Sequence, residues 1–521
     1  MKGKLWVAAL LSAVLVATLG LPGLAAAGFT QSDAMVYWKD AYEPDDDAAH
    51  AKPIVGMSER TFHSNDDEDW SYVDLVTSET VSVETIFGEA SSSSDDYSWG
   101  EDYGDFDTEV YIWSKVGGSG EMTIVAGNDD HPHLWGSYSS SLFFEAPWTG
   151  RYYIDVHELD TDDRGSYWLF VNKGFGRRVY GSDRYETSVW ASRTLWPATH
   201  LPESGDPADP DFIVLTSGES YIDSMVGAAL ACALDGQVLL TRPDDLPGMV
   251  ADEIERLADA ENVWWNGTGA HVLIAGGPNA VSTDVFREAA ELRHVSSVYR
   301  MAGTNRYETA VKMWETYLEE DTFGDTTAYI VNGSAWPDVL AVAPVAAVPD
   351  RPVLLTEKSD VPQVTMDFLI DNGFTDVIVV GGEGVVDDTA YTELVNEFGA
   401  GHVRRIAGAN RYQTALKVAR HGVDDLGMSA ESMILVSGEN WPDAVSGAPI
   451  GHVAEAPILL TGSGSLAGEV KTFMDEYGVP YRSPDYFSYG NDQAAEGPLS
   501  YCVGGPGAVP ESVFNEWVSY Y

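Results

Sequence analysis

The chain has 521 residues, which is too long for one hydrophobic core, and its 44% of hydrophobic residues is ample for several domains. Its 82 acidic residues far outnumber the 29 basic ones, so the formal net charge is −53. A surface of that charge repels nucleic acid and acidic membranes, and neither is expected as a partner. The acidity is explained most simply by solubility or by a saline environment.

The N-terminal segment has the order of charged, apolar and small residues that is typical of a secretory signal peptide. Two lysines precede an apolar run over residues 5–19, and small residues follow it as far as Ala27. This order predicts a signal peptide over 1–27 and a short linker over 28–37, with no membrane contact after cleavage. An uncleaved anchor is the alternative, because the run is almost long enough to cross a bilayer. No cysteine follows the segment to carry a lipid, so attachment to the cell is expected to be non-covalent.

Residues 38–173 are rich in Asp, Ser and aromatic residues and contain short segments of alternating polar and apolar character. The clearest of these segments are 70–75, 108–113, 151–156 and 166–171. Strands of this length, separated by turn residues, predict an antiparallel β-sandwich. The Ser/Asp/Gly-rich segment 89–106 is predicted to be a long loop within it.

Acidic turns in the same part of the chain are candidates for a Ca²⁺ site, because carboxylate oxygens are the ligands that Ca²⁺ prefers. The candidate ligands are Asp66, Asp67, Asp129 and Asp130. None of these turns has the spacing of an EF-hand, and solvated turns explain them more simply. Ca²⁺ is the single cofactor that the sequence suggests.

From about residue 176 onward, four short motifs recur three times in the same order. The arginine motif, Gly-x-x-Arg-Tyr, has a second arginine six residues before the first. The aspartate motif (SGENWPD in the third copy) ends in an acid. The two other motifs are a strand ending in Leu-Leu-Thr and a strand ending in two glycines. The paired arginines are Arg184 and Arg178, Arg306 and Arg300, and Arg411 and Arg405; the aspartates are Asp223, Asp338 and Asp443. Repeats of this length predict three small domains, repeat 1 over 177–298, repeat 2 over 299–403 and repeat 3 over 404–521.

Within each repeat, continuous apolar strands alternate with amphipathic helical stretches. The stretch 305–318, for example, places Ala310, Val311, Trp314 and Leu318 on one side of a helix. Fully apolar strands separated by helices predict a parallel sheet that is covered on both faces. The insertion 481–497 in repeat 3 is polar and is predicted to be a surface loop.

The arginines are the strongest candidates for ligand contact. Guanidinium groups make directional, paired contacts with carboxylate or phosphate, and ligands of open parallel sheets meet the carboxyl ends of the strands. The alternative is that each arginine pairs with the aspartate of its own or a neighbouring repeat and ties the repeats together. The three aspartates are predicted to lie at helix starts, where a carboxylate favours the helix dipole, and the glycine pairs are predicted to form tight turns.

Motifs of known catalytic chemistry are absent from the sequence. It contains neither G-x-S-x-G nor H-E-x-x-H. Cys232 lies in an Ala/Leu-rich stretch and Cys502 opens an apolar strand, so both are predicted to be buried thiols, although export would permit one disulfide. The sequence therefore predicts a binding protein that is not an enzyme.

The repeated motifs resemble the type 2 cell wall binding repeat over residues 177–521. This resemblance implies three flavodoxin- or Rossmann-like domains, arranged as a pseudo-threefold trimer, that hold exported proteins of Gram-positive bacteria on anionic wall polymers. It also implies that Arg184, Arg306 and Arg411 lie near the seams between repeats and take part in polymer binding. Repeat 1 departs from the pattern, because Tyr221 replaces the tryptophan of the aspartate motif.

Residues 38–173 resemble a bacterial pre-peptidase C-terminal domain, on pieces such as DEDWSYVDL (67–75) and GSYWLFV (165–171). Because the chain contains no peptidase motif, the resemblance implies only a spacing role or the binding of a further surface ligand. The whole chain is thus predicted to be a secreted protein of a Gram-positive-type cell wall, bound non-covalently to an anionic glycopolymer. Two alternatives stay open: a wall-turnover or protease-accessory protein, and a self-associating surface-layer or adhesion protein.

Overall fold

The computed structural model describes most of the chain from residue 47 to residue 520. The described residues are 47–54, 56–62, 68–75, 80–90, 108–115, 122–128, 140–158, 165–173, 176–196, 210–258, 269–320, 322–430, 432–478 and 500–520. The predicted signal peptide, the linker 28–37, the insertion 481–497 and the four candidate Ca²⁺ ligands lie outside these residues. Their predictions are therefore untested.

Nine strands are described in the acidic, aromatic-rich part of the chain. They are β1 (Lys52–Pro53), β2 (Gly56–Phe62), β3 (Asp69–Leu75), β4 (Thr80–Ala90), β5 (Thr108–Lys115), β6 (Met122–Asn128), β7 (Ser141–Glu145), β8 (Gly150–Glu158) and β9 (Gly165–Lys173). They form one sheet in the order β1-β3-β8-β5-β6 and another in the order β2-β9-β4-β7, and all pairs except β1/β3 are antiparallel. Val83 of one sheet and Ile112 of the other lie in the same core cluster, because alternate residues of each strand point inward.

The remaining strands and helices belong to the three repeats. The strands are β10 (Gly176–Val179), β11 (Phe212–Ser217), β12 (Gln237–Thr241), β13 (His271–Ala275), β14 (Ser297–Met301), β15 (Thr327–Asn332), β16 (Val353–Thr356), β17 (Asp376–Val380), β18 (Val403–Ile406), β19 (Ile434–Ser437), β20 (Ile458–Thr461) and β21 (Ser500–Val503). The helices are α1 (Arg184–Leu195), α2 (Tyr221–Ala233), α3 (Gly248–Leu257), α4 (Thr283–Ala290), α5 (Arg306–Glu320), α6 (Trp336–Ala347), α7 (Gln363–Asp371), α8 (Asp388–Phe398), α9 (Arg411–Leu426), α10 (Pro442–Val453), α11 (Gly468–Tyr477) and α12 (Glu511–Val518).

Three parallel four-stranded sheets carry the repeats. Their orders are β12-β11-β13-β14 for the first sheet, β16-β15-β17-β18 for the second and β20-β19-β21-β10 for the third. The prediction of parallel sheets is confirmed, and the helix predicted over 305–318 is α5, whose Trp314 is completely buried.

The sheets are out of phase with the sequence repeats by one strand. The fourth strand of each sheet carries the second arginine of the following repeat: Arg300 on β14 and Arg405 on β18. In the third sheet this place is taken by β10, near the start of repeat 1, which pairs in parallel with β21 so that Arg178 lies opposite Cys502. The first strand of the repeat region therefore closes the last sheet, and the three repeats form a cycle.

The centre of this cycle is formed by α2, α6 and α10, which all contact one another. Helices α2 and α10 bury nearly every side, as expected for helices that are apolar all round. Gly447 lets α10 approach its own sheet, since a Cβ there would lie 3.1 Å from the side chain of Val503. In addition, α1, α5 and α9 each contact the central helix of the preceding repeat. The repeats are thus held together by a shared core as well as by β10.

Both cysteines are buried, as predicted, Cys232 in the shared core and Cys502 in a second core cluster of repeat 3. Cys232 on α2 and Cys502 on β21 are buried and are not joined to each other. Burial raises the pKa of both thiols, that of Cys502 to about 12, so neither is reactive near neutral pH.

A buried ion pair connects the antiparallel sheets to the repeats. Arg177 on β10 is 1% exposed and pairs with Glu84 on β4, which is 2% exposed. The guanidinium carbon also lies 4.0 Å from the centre of the Phe170 ring on β9. The junction therefore contains charges that water does not reach.

The Glu84→Ala exchange is expected to lower the free energy of unfolding by about 3–5 kcal/mol, since it leaves the Arg177 guanidinium buried without its partner. Chemical denaturation of the full chain measures this loss. The double exchange Glu84→Ala/Arg177→Met is expected to recover much of it, because both charges are then gone. Equal stability of Glu84→Ala and wild type would contradict the role given to this pair.

Candidate functional site

The arginine motif forms the start of α1, α5 and α9. In α5, Asn305 Oδ1 accepts hydrogen bonds of 3.0 Å from the amides of Tyr307 and Glu308, and Glu308 Oε2 accepts one of 2.8 Å from the amide of Thr304. This is a capping box, which satisfies amides that have no partner within the helix. The same pairs are Asp183 and Glu186 in α1, and Asn410 and Gln413 in α9. The motif therefore makes its arginine the first residue of a helix.

The glycine of the motif is required by the same turn. A Cβ atom on Gly303 would lie 2.2 Å from the Cβ of Glu308, so no other residue fits. The Gly303 amide donates to Thr309 Oγ1 at 3.0 Å, which accounts for the threonine of the motif. The glycine, the two capping residues and this threonine are thus explained by the helix start, whereas the arginine side chain is not.

The arginine side chains reach across to the aspartate motif of their own repeat. Arg306 Nη1 donates to the Gly333 carbonyl at 2.9 Å and to Ser334 Oγ at 3.2 Å. Arg411 Nη1 donates to the Gly438 carbonyl at 2.5 Å, and Arg184 makes the equivalent bond to Gly218. Each guanidinium is therefore fixed at the carboxyl end of a parallel strand, where two predicted motifs meet.

The same guanidinium groups face the neighbouring repeat. Arg411 lies 5.4 Å from the ring centre of Trp336 in repeat 2, and Arg184 lies 5.8 Å from that of Trp441 in repeat 3. Arg306 lies close enough to repeat 1 for its charge to act on Asp223. We call each contact between an arginine motif and the aspartate motif of the preceding repeat a seam, and the three predicted seam arginines all lie in such seams.

The other three predicted arginines have a different environment. Arg300 Nη1 donates to the carbonyls of Gly276 and Val281, both at 2.8 Å. Arg178 binds the carbonyls of Gly504 and Val509 in the same way, and Arg405 binds that of Gly381. These arginines hold the glycine-pair turn of a sheet in place and do not lie in the seams.

The aspartates lie in the first turn of the central helices, without being the capping residues themselves. Asp443 is 5% exposed, and Asn440 Nδ2 donates to its Oδ2 at 3.4 Å. A Cβ on Gly504, whose φ is +126°, would lie 2.7 Å from the same oxygen, so this glycine permits both the turn and the close approach. Asp223 has the same relation to Gly276, whereas the side chain of Asp338 lies outside the described part of the chain.

Burial makes these carboxylates unusually basic. It raises the pKa of Asp443 to about 6, although the Asn440 hydrogen bond and the Arg184 charge oppose the shift. Burial also raises the pKa of Asp223, against the charge of Arg306. Among the described residues, neither Arg184 nor Arg306 has a carboxylate oxygen within 4.0 Å. Each guanidinium thus keeps hydrogen-bonding capacity that carbonyl oxygens alone do not use.

The high pKa of Asp443 makes stability depend on pH. A folded-state pKa of about 6, above the ordinary value of 3.8, gives stability that is present below pH 4 and is lost as the pH rises through 6. The loss amounts to about 3 kcal/mol. In Asp443→Asn this dependence is expected to disappear. The free energy of unfolding of the variant, relative to that of wild type, is therefore expected to rise by about 3 kcal/mol between pH 4 and pH 7. Parallel denaturation profiles over this range would contradict the assignment.

The seam at Arg184 brings together a guanidinium, the ring of Trp441 and the poorly hydrated carboxylate of Asp443. The described contacts of the two other seams are the carboxylate of Asp223 near Arg306 and the ring of Trp336 near Arg411. A guanidinium binds carboxylate or phosphate, an aromatic ring packs on apolar surface, and a carboxylate accepts hydrogen bonds from hydroxyl groups. This combination suits an anionic carbohydrate. The aromatic ring was not identified from the sequence as a partner of the arginine, because the two belong to different repeats.

Two kinds of structural feature are absent from the described residues. No group of three or more His, Cys, Asp or Glu side chains is placed there to hold a metal ion. In the same residues no helix is both long and apolar enough to cross a membrane.

Two known proteins are similar to part of this chain. The N-acetylmuramoyl-L-alanine amidase LytC of Bacillus subtilis (strain 168) is 28% identical over 292 residues, which are 56% of this chain and 51% of that protein. The amidase enhancer of the same organism is 26% identical over 302 residues, 57% of this chain and 36% of that protein. This chain therefore spans about half the length of these relatives, or less.

The structure of Cwp8 from Clostridium difficile has the same fold of repeats, with a TM-score of 0.52 at 21% identity over 67% of this chain and 52% of that chain. The model of the family described as Cell wall binding domain 2 (CWB2) matches residues 178–286, 300–391 and 405–514. These ranges coincide with the three copies of the motifs and make up more than half of the chain. The chain thus belongs to the cell wall binding domain 2 family.

Proposed function

We propose that this protein is an exported, non-enzymatic surface protein that is held on an anionic cell wall glycopolymer by its three seams. The observation that carries the proposal is the seam itself, in which Arg184, Arg306 or Arg411 is fixed by a carbonyl and faces the neighbouring repeat. Such a guanidinium needs no rearrangement to bind a phosphate or carboxylate group. Family membership supports the wall as the place of binding, because the family to which the three repeats belong is described as cell wall binding.

The acidity of the chain does not prevent this binding. Each seam places one cation beside a strand end, and at physiological ionic strength charges more than about 8 Å away are largely screened. The distant acidic residues therefore weaken binding less than the net charge of −53 suggests. Binding that depends on a few local cations is expected to weaken as the salt concentration rises.

The N-terminal part completes the proposal. A signal peptide over 1–27 would export the chain, and the sheets formed by β1–β9 would make a β-sandwich domain over 38–173 that is displayed outward. The binding of a further surface ligand, and of Ca²⁺ by Asp66, Asp67, Asp129 and Asp130, belongs to that domain and stays a prediction.

Sedimentation with isolated cell walls tests the proposed function. The purified protein is expected to pellet with the walls, to be released by a salt wash and to leave the walls intact. Protein that stays in the supernatant at low salt would contradict wall binding. Release of soluble wall fragments would contradict the non-enzymatic part, and formation of sedimenting assemblies without walls would favour a self-associating surface protein.

A further inference from the structure

A groove with a basic lining lies between β18 and α9 in repeat 3. It encloses about 270 Å³, and its lining contains four arginine or lysine residues and only two aspartates. Those cations are Arg404, Arg405, Lys417 and Arg420. In a chain of net charge −53, a concave surface with more positive than negative side chains is unexpected and calls for an explanation.

Two of the cations are free to bind an anion. Arg404 Nη2 donates to Nε2 of His421 at 3.1 Å, and Lys417 Nζ donates to the Ala407 carbonyl at 2.6 Å. Within the described part of the chain, neither has a carboxylate oxygen within 4.0 Å. Arg420, by contrast, already pairs with Glu476 at 2.6 Å. Both free cations are exposed, so an anion could reach them without displacing the protein's own ion pairs.

The fold of the repeats does not require these charges. At the equivalent places of repeat 2, Tyr299 stands for Arg404 and Glu315 stands for Arg420. Lys417 corresponds to Lys312, which pairs with Glu315 at 3.0 Å. In repeat 1 the equivalent residues are Arg177, which is paired with Glu84, and Trp190. The two free cations thus occur together only in repeat 3 among the described residues.

The groove lies along the same helix as a seam arginine. Helix α9 begins at Arg411, and a rise of about 1.5 Å per residue places Lys417 about 9 Å further along the helix. A second groove, of about 440 Å³, is lined by Gln413, Lys417 and Arg420 and joins the first turn of α9 to the basic lining. A linear polymer bound at Arg411 could therefore follow α9 to Lys417 and Arg404.

We propose that this groove binds an anionic group, phosphate or carboxylate, of the same polymer chain that occupies the seam at Arg411. The inference rests on the proposed function and adds to it a second contact point, which is confined to repeat 3. Charged hydrogen bonds to two unpaired cations supply the attraction. The repeat that carries the groove is expected to contribute more to binding than the two others.

The test compares the double variant Arg404→Gln/Lys417→Gln, and Lys417→Gln alone, with the control Lys312→Gln. Each full-length protein is titrated with isolated cell walls, and with poly(glycerol phosphate) and polygalacturonate as soluble competitors. The double variant is expected to bind walls about tenfold more weakly at low salt, with a shallower dependence on salt, whereas Lys312→Gln binds as wild type does. One of the two competitors is expected to release wild-type protein from the walls without releasing the double variant that remains bound. That competitor identifies the anionic group.

The outcomes separate the two proposals. One outcome is that wild type binds walls and the double variant binds as well as wild type or as the control Lys312→Gln. In that case the groove has no part in binding, and the proposed function stands. If wild type binds no walls at all, the proposed function fails and the groove proposal fails with it. The single variant Lys417→Gln keeps the test valid should the double variant be unstable, because the Lys417 side chain is exposed and its described hydrogen bond is to one surface carbonyl.

Discussion

The Arg306→Ala/Arg411→Ala variant is expected to bind isolated cell walls at least about 100-fold more weakly than wild type. Each exchange removes a fixed guanidinium from a seam, and a hydrogen bond to a charged group contributes roughly 1.5–3 kcal/mol, so two losses amount to about 3–6 kcal/mol. Two of the three seams would lose their cation. The remaining seam at Arg184, which lies beside Trp441, and the groove of repeat 3 are expected to account for the residual binding.

The matched control for this variant removes two arginines from elsewhere on the surface. Arg287 and Arg293 of repeat 1 are 67% and 77% exposed and pair with acidic residues outside the seams. Arg287→Ala/Arg293→Ala causes the same change of net charge, yet it is expected to bind walls nearly as wild type does. An equal loss in both double variants would show that binding follows overall charge, and unchanged binding of Arg306→Ala/Arg411→Ala would refute the seam assignment. Thermal melting of each protein shows that the fold is intact.

Removal of β10 is expected to unfold the third sheet. A chain that starts at residue 180 lacks the strand that pairs with β21, and with it the two hydrogen bonds from Arg178 to the carbonyls of Gly504 and Val509. Since the stability of a whole domain is only about 5–15 kcal/mol, the loss of a completely buried edge strand is large by comparison. The lower stability should extend to the other repeats, because α10 belongs to the shared core.

The control is a chain that starts at residue 174, which lacks the antiparallel sheets but keeps β10. Thermal melting followed by circular dichroism is expected to show a cooperative transition for this chain and a broad one, at lower temperature, for the chain that starts at residue 180. Hydrogen exchange within 500–503 should be slow in the first and fast in the second. Identical melting of the two chains would mean that β10 does not close the cycle.

Much of the repeat fold could be predicted from the sequence because its signals are local. Each of these signals lies within a single strand or helix: the apolar strands, the amphipathic pattern of α5 and the capping residues around Asn305. The pairing of β10 with β21 is not local, since it joins residues more than 300 positions apart, and no periodicity reveals it. The closure of the three repeats into a cycle follows from this one long-range contact.

The candidate site could be predicted only in part, for the same reason. The sequence shows that six arginines recur, but it does not distinguish Arg306, which faces a neighbouring repeat, from Arg300, which holds a turn of its own sheet. Their roles differ because one lies at a helix start and the other inside a strand. The ring of Trp336 beside Arg411 and the basic groove beyond it depend on which repeats are neighbours, which the linear sequence does not state.

Hydrogen exchange of the full-length protein, with and without solubilised wall polymer, shows where the polymer binds. The polymer is expected to slow exchange in the turns at 218–221, 333–336 and 438–441, where the seam arginines meet the aspartate motifs. Slower exchange at 404–407 would add the groove of repeat 3. Binding that leaves all three turns unchanged, and protects only the strands between 52 and 173, would contradict the claim that the seams hold the wall.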